Sequence, residues 1–199
     1  MFFNEFITHL AKNAHLNETL YQALRNRARP LQLLKRQGLV QLGDVCKQLY
    51  YIHEGFFRLY QHTADGERTT DFAAAGEFVT VIPSFFRQKP SSHGIVCEAD
   101  AYIYALSYYD LRALEELYPD FLVLSKNITT QYLMRFYQDM EFYRTANATE
   151  RYLYLCQKYP KITNMVSQKH IASYLGLAPQ TLSRIIKETI RRPTNGHKS

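Results

Sequence analysis

Apolar positions recur every three or four residues at the two ends of the chain, and in short dense runs between them. Residues 2–12 and 17–28 read as short amphipathic helices, the second with Asn17 as N-cap and Leu20, Leu24 and Tyr21 on its buried side. Pro30 ends this part. From about 31 to 106 the pattern changes to apolar and aromatic runs: QLYYI (48–52), FFRLY (56–60), FVTVI (78–82), GIVCEA (94–99) and AYIYAL (101–106). Gly43-Asp44, Glu54-Gly55, Asp65-Gly66, Gly76, Pro83 and Ala99-Asp100 punctuate them. Asp65-Gly66 suits a type I′ hairpin turn, where both positions take positive φ. So many short strands predict an antiparallel roll or barrel.

Beyond residue 106 the helical period returns. Ser107 or Asp110 caps a helix through DLRALEELY, Pro119 breaks it, and a longer helix follows from about 120 to 144. Along it Phe121, Leu124, Ile128, Tyr132, Phe136, Met140 and Tyr143 form one apolar stripe. Leu122, Leu133 and Tyr137 lie off the stripe, so more than one side is apolar. One face suffices to cover a barrel, and the second predicts a partner, most simply the same helix of another copy. Leu124, Ile128, Tyr132, Phe136 and Met140 are the expected dimer contacts. The small polar stretch TANAT (145–149) reads as a hinge, and ERYLYLCQ (150–157) as a further helix stopped near Pro160.

Residues 167–190 carry the pattern of two helices joined by a tight turn. Ser167 can cap the first, and Ile171, Ala172 and Leu175 share a face, with Ala172 small enough for a close crossing. Gly176 suits a left-handed exit, Leu177 plugs the gap, and Pro179 fits a first helical turn. Leu182, Ile185 and Ile186 then point inward, leaving Gln180, Thr181, Ser183, Arg184 and Lys187 outward. Amide and guanidinium groups suit base edges, and hydroxyl and ammonium groups suit phosphates.

Charge sharpens this picture. The chain has 199 residues and a net charge of +6. Residues 1–160 hold 17 basic and 17 acidic side chains, whereas residues 161–199 hold seven basic and one acidic, which is the whole surplus. A neutral body with a basic end implies a polyanionic partner. Other classes recede. A hydrophobic share of 46% excludes a disordered chain, and no apolar run approaches the ~20 residues of a membrane span. Asn4, Glu5 and His9 interrupt any signal-peptide core, so a cytoplasmic location is expected. Cys46, Cys97 and Cys156 show no CxxC or metal spacing and read as core residues. The seven histidines show no HxH or HxxxH spacing. No nucleophile elbow, phosphate loop or paired-carboxylate motif points to an enzyme. No catalytic residue, metal or cofactor is expected.

The segments Gly55-Phe56-Phe57-Arg58-Leu59-Tyr60, Asp65-Gly66, Gly76-Glu77-Phe78, Leu106-Ser107 with Asp110-Leu111, Glu150-Arg151-Tyr152 and IASYLGLAPQTLSRI together resemble a family. It is the transcription-factor superfamily of the cyclic-AMP receptor protein and the fumarate-and-nitrate-reduction regulator, in particular its short Bacteroidetes-type members. The resemblance spans about residues 35–190 and implies an α+β fold with three parts. Residues 1–118 would hold helices and a cyclic-nucleotide-binding-like antiparallel β-roll, 119–145 a dimerisation helix, and 146–199 a helix-turn-helix DNA-binding domain. It implies a homodimer on a near-palindromic operator, with RNA polymerase and a small-molecule effector as further candidate partners. Lys169, Gln180, Thr181, Ser183, Arg184, Lys187, Arg191 and Arg192 are the expected DNA contacts.

The departures matter as much. In nucleotide-binding members an acid for the ribose and an Arg before Ser or Thr follow the Gly-Glu-Phe segment; here they fall on Val81 and Ser91, and Ser92 survives alone. A buried cyclic phosphate without Arg lacks a charge-assisted contact of about 1.5–3 kcal/mol. A ligand pocket at Phe78, Val81, Ser91 and Ser92 is therefore not expected to hold cyclic AMP tightly. Arg87 and Lys89 could substitute only from what reads as a surface turn around Gln88 and Pro90. Gln180 stands where many relatives have an acid, and Ala178 where they have an N-capping Thr, which alters the set of groups offered to DNA. RRPTNGHKS reads as a flexible basic arm rather than a wing hairpin.

Overall fold

The structure, a computed structural model, describes residues 2–64 and 66–191, with only the backbone of Arg191. Arg192, the side chain of Arg191 and the terminal arm lie outside the described residues, as does Asp65 of the expected hairpin turn. Two helices open the chain, α1 (Phe2–Ala11) and α2 (Glu18–Arg27). Asn17 caps α2 by accepting from the Leu20 N–H at 2.9 Å.

An antiparallel sheet follows: β1 (Arg29–Leu33), β2 (Gly38–Val40), β3 (Gln48–Thr63), β4 (Gly66–Ala74), β5 (Phe78–Val79) and β6 (Gly94–Ser107). The main path runs β1-β6-β3-β4, with β2 on β6 and β5 on β3. Two pairs of expected strands are thus single bent strands. QLYYI and FFRLY both lie in β3, and GIVCEA and AYIYAL both lie in β6. Glu54-Gly55 is no turn but part of a run of register shifts between them. Gly55 has φ +115°, and a Cβ there would lie 2.8 Å from the Ala101 Cα. Both the bend and the close approach require glycine.

FVTVI also departs from expectation. Only Phe78–Val79 is strand, and α3 (Ile82–Arg87) begins at once with Pro83 in its first turn. Ser107, not Asp110, caps α4 (Tyr108–Leu117), accepting from the Asp110 N–H at 3.0 Å. Pro119 starts α5 (Pro119–Thr145) rather than standing outside it. The hinge is shorter than TANAT: Ala146 ends α5, and Asn147 opens α6 (Ala148–Lys158) through a capping box with Glu150. A short α7 (Ile162–Met165), which the sequence reading did not predict, precedes α8 (Gln168–Leu175) and α9 (Pro179–Arg191).

The buried side chains form two clusters. One joins α1, α2, the sheet, α4 and the start of α5 around Leu24, Ile52, Phe57, Phe85, Ile103 and Leu114. The other joins α6 to α9 around Leu155, Ile162, Ile171 and Leu182, and it includes Phe56 and Phe72 of the sheet. The C-terminal helices therefore complete their core with two phenylalanines from the roll. No described helix is long and apolar enough to cross a membrane.

Candidate nucleic-acid interface

The geometry of α8 and α9 follows from a few side chains. Ser167 opens α8 with its hydroxyl oxygen accepting from the His170 N–H at 3.4 Å. Gly176, at φ +67°, ends it, and the Leu177 N–H donates back to the Ala172 carbonyl at 2.9 Å. This left-handed exit turns the chain within three residues into Pro179. Ile171, Ala172 and Leu175 are buried below α8, and Leu182 and Ile185 below α9, with Ile186 and Leu177 packed at the edge. That buried base dictates the opposite face. Gln180, Arg184 and Lys187, spaced by four and three, are exposed along one stripe of α9. Thr181 and Ser183 flank the stripe and are half-buried, and Lys169 is exposed in the first turn of α8.

The unit is fastened to the roll along β4. The Thr69 N–H donates to the Ser173 hydroxyl oxygen at 3.0 Å, and the Tyr159 hydroxyl donates to the Phe72 carbonyl at 3.0 Å. Tyr174 packs on Phe72 with ring centroids 5.0 Å apart. Glu67 lies 3.7 Å from His170 and also takes a 2.5 Å bond from Arg58, whose guanidinium is buried against Glu98. Burial and the Arg58 charge hold His170 below its ordinary pKa, so it is neutral at pH 7. β4 ends the main path of the sheet, and α8 packs on it where a further strand could pair. Of these junction residues only Arg58 was named from sequence, within a family-like segment, and none was assigned to a junction. The only signal was polar: Thr69, Thr70 and Asp71 stand together within a strand that ends in apolar residues.

The four expected pocket residues do not meet in one cavity. Val81 is buried as the N-cap of α3. Ser91 is buried, with its hydroxyl donating to the His93 carbonyl at 2.6 Å and accepting from the His93 N–H at 3.1 Å. Its backbone bonds Asp44 and Gly43, each at 2.8 Å. Ser92 is exposed, beside the His93 ring at 3.0 Å. Phe78 lies elsewhere, on the wall of an apolar cavity of about 80 Å³ formed with Phe6, Leu24, Tyr51, Tyr104 and Leu124.

α5 corrects one expectation. Leu124, assigned to a dimer contact, is 1% exposed and belongs to the core of its own protomer, with Ile128 packed against that core. The stripe read as one surface divides: its first half covers the roll, Tyr132 is half-buried, and Phe136 and Met140 are exposed. The exposed apolar side chains of α5 are Leu122, Val123, Leu133, Met134, Phe136, Tyr137 and Met140. Among the described residues no three histidines, cysteines or carboxylates gather as a metal site.

Comparison with known proteins agrees with this architecture. Residues 30–118 match the family of the cyclic nucleotide-binding domain. No curated protein sequence matches the chain. Among solved structures, the c-di-GMP responsive global regulator CLP of Xanthomonas campestris is 17% identical, with a TM-score of 0.67 over 88% of this chain and 92% of that one. FixK2 of Bradyrhizobium japonicum is 17% identical, with a TM-score of 0.68 over 85% and 89%. The catabolite activator protein of Thermus thermophilus is 20% identical, with a TM-score of 0.53 over 92% and 87%. A transcriptional regulator of the Crp/Fnr family from Eubacterium rectale has the same fold at 13% identity and a TM-score of 0.65. Residues 30–118 thus resemble a cyclic nucleotide-binding domain, in a chain that shares its fold with these solved transcription regulators.

Proposed function

We propose that this protein is a DNA-binding transcription regulator that acts as a homodimer in the cytoplasm, with α8 and α9 as its helix-turn-helix. The observation that carries the reading is the exposed stripe Gln180, Arg184 and Lys187 on a helix whose opposite side is anchored in a core by Leu182 and Ile185. Arg184 suits bidentate contact with guanine and Gln180 with adenine. Thr181, Ser183, Lys187 and Lys169 serve phosphates, and Arg191 and Arg192 add attraction. The exposed apolar side chains of α5 join two protomers, and two-fold symmetry then sets half-sites about 34 Å apart. RNA polymerase is the further partner that such a regulator implies. No reaction is assigned to it.

Selection of bound duplexes from a random pool at two salt concentrations tests this. A near-palindrome with a steep salt dependence is expected. Equal recovery of all sequences, or a protein that remains monomeric, would sink the reading. Introducing charge by Leu133→Glu with Phe136→Glu should yield a monomer in sedimentation that still folds, because both side chains are exposed.

A second reading, that an effector gates DNA binding, is favoured by the apolar cavity between α1, α2, the sheet and α5. About 80 Å³ is several times the ~10–15 Å³ that one water needs, and an apolar lining favours an apolar occupant. Cyclic AMP is not the effector this reading favours. Ser91, where an arginine would have to stand, is closed on its own loop.

A further inference from the structure

Asp71 sits in β4 where the roll, α5, α6 and α8 meet. Its one hydrogen bond among the described residues is from the Phe72 N–H, at 2.8 Å. The groups around it come from every neighbouring element: Glu77 after β4, Tyr132, Arg135, Asp139 and Tyr143 from α5, Lys158 and Tyr159 from α6, and Tyr174 from α8. Neither nearby cation pairs with it. Lys158 is bound to Asp139 at 2.6 Å, and Arg135 to Glu77 at 2.8 Å. The Tyr143 hydroxyl is buried there, beside Tyr174, with no well-formed hydrogen bond among the described residues. Tyrosines line this half-buried site, two carboxylates face it, and among the described residues no cation is paired with it.

We propose that Asp71 is a proton-operated latch between the roll and the C-terminal unit. With a proton bound, β4, α5, α6 and α8 close on a neutral side chain. Without it, an unpaired carboxylate in the same junction loosens their hold. The consequence for DNA rests on reading α8 and α9 as the DNA-binding unit; the latch itself does not.

The chemistry gives the latch a direction. Burial pushes the Asp71 carboxyl up to about 6, with Glu77 and Asp139 adding to the rise and the Phe72 N–H and Lys158 opposing it. A carboxyl raised in the folded state contributes stability that is full below the ordinary carboxylate range and lost as pH rises through about 6. His170, in the same junction, is shifted down by burial and by Arg58. Its contribution has the opposite sign, falling away as pH drops. The sign of the effect therefore identifies the group.

Hydrogen exchange of the full chain at about pH 5 and about pH 7.5, corrected for intrinsic rates, tests the latch. It is read at the Thr69 amide, which donates to Ser173, and along α8. Protection should fall roughly tenfold at the higher pH in the wild type. Asp71→Asn should hold the low-pH level at both, and His170→Gln should keep the wild-type fall. Equal protection at both pH values, or an unchanged fall in Asp71→Asn, overturns the proposal. If Asp71→Asn does not fold, a carboxyl-carbon NMR titration of the wild type replaces it. Protection must then level off as pH passes the Asp71 midpoint, and a fall that continues well above it overturns the proposal. No readout uses DNA, so failure of duplex binding and failure of the latch are distinct results.

Discussion

Two parts of this chain hold polar side chains that the sequence marks as candidate ligand contacts, and they have opposite fates. Ser91 exchanges hydrogen bonds with His93 while its backbone bonds Asp44 and Gly43. Gln180, Arg184 and Lys187 are exposed on α9 and enter no hydrogen bond or ion pair among the described residues. A polar group can serve a ligand only if the protein has not already satisfied it, because breaking an internal bond offsets the gain from the new one. In the roll the polar segment around Ser91 is bonded within the fold, whereas the stripe of α9 is left free of internal bonds among the described residues.

Four experiments bear on that contrast. The largest effect is expected from Leu182→Ala, which removes a fully buried side chain beneath α9. It should lower stability in urea unfolding by about 2–5 kcal/mol and abolish duplex binding although every polar group of the stripe is intact. Retained binding would mean that the buried base does not present the stripe. Arg184→Ala should cost about 1–3 kcal/mol of discrimination between selected and random duplexes in competition binding. Lys187→Ala should instead weaken both equally and reduce the salt slope by about 1. Identical profiles for the two variants would erase the division between base and phosphate contacts. The smallest effect is expected in the roll. Cyclic AMP should leave the melting temperature unmoved, whereas a ligand at 100 times its Kd would add about 2.7 kcal/mol. A shift would show that Ser91 opens after all.

The parts of this architecture that were legible in the sequence are those fixed by neighbours in the chain. Asn17 and Ser107 cap their helices through bonds three residues away. Gly176 and Pro179 set the α8–α9 turn for equally local reasons. What depends on distant partners was not legible. An apolar run such as FVTVI fits a strand or a buried helix start, and only Pro83 hinted at the α3 that follows. Glu54-Gly55 carries turn residues, but the close approach of Ala101 makes it a bend inside one long strand. The stripe of α5 announced a helix with apolar sides without saying that Leu124 faces the roll. Phe56, which lies in the expected strand run FFRLY, joins Phe72 in completing the core of the C-terminal helices. The junction around Asp71 is assembled from residues up to about a hundred positions apart, which no local pattern encodes.

Only Ala146 and Asn147 separate the end of α5 from the start of α6, and Asn147 is tied to Glu150 by reciprocal capping bonds. Such a connection transmits torque and offers almost no slack. In a pair of protomers, the angle at which the two long helices cross would be handed on to the reading heads like the setting of a caliper. A side chain altered far along α5 could then retune the separation of preferred half-sites without touching a single base.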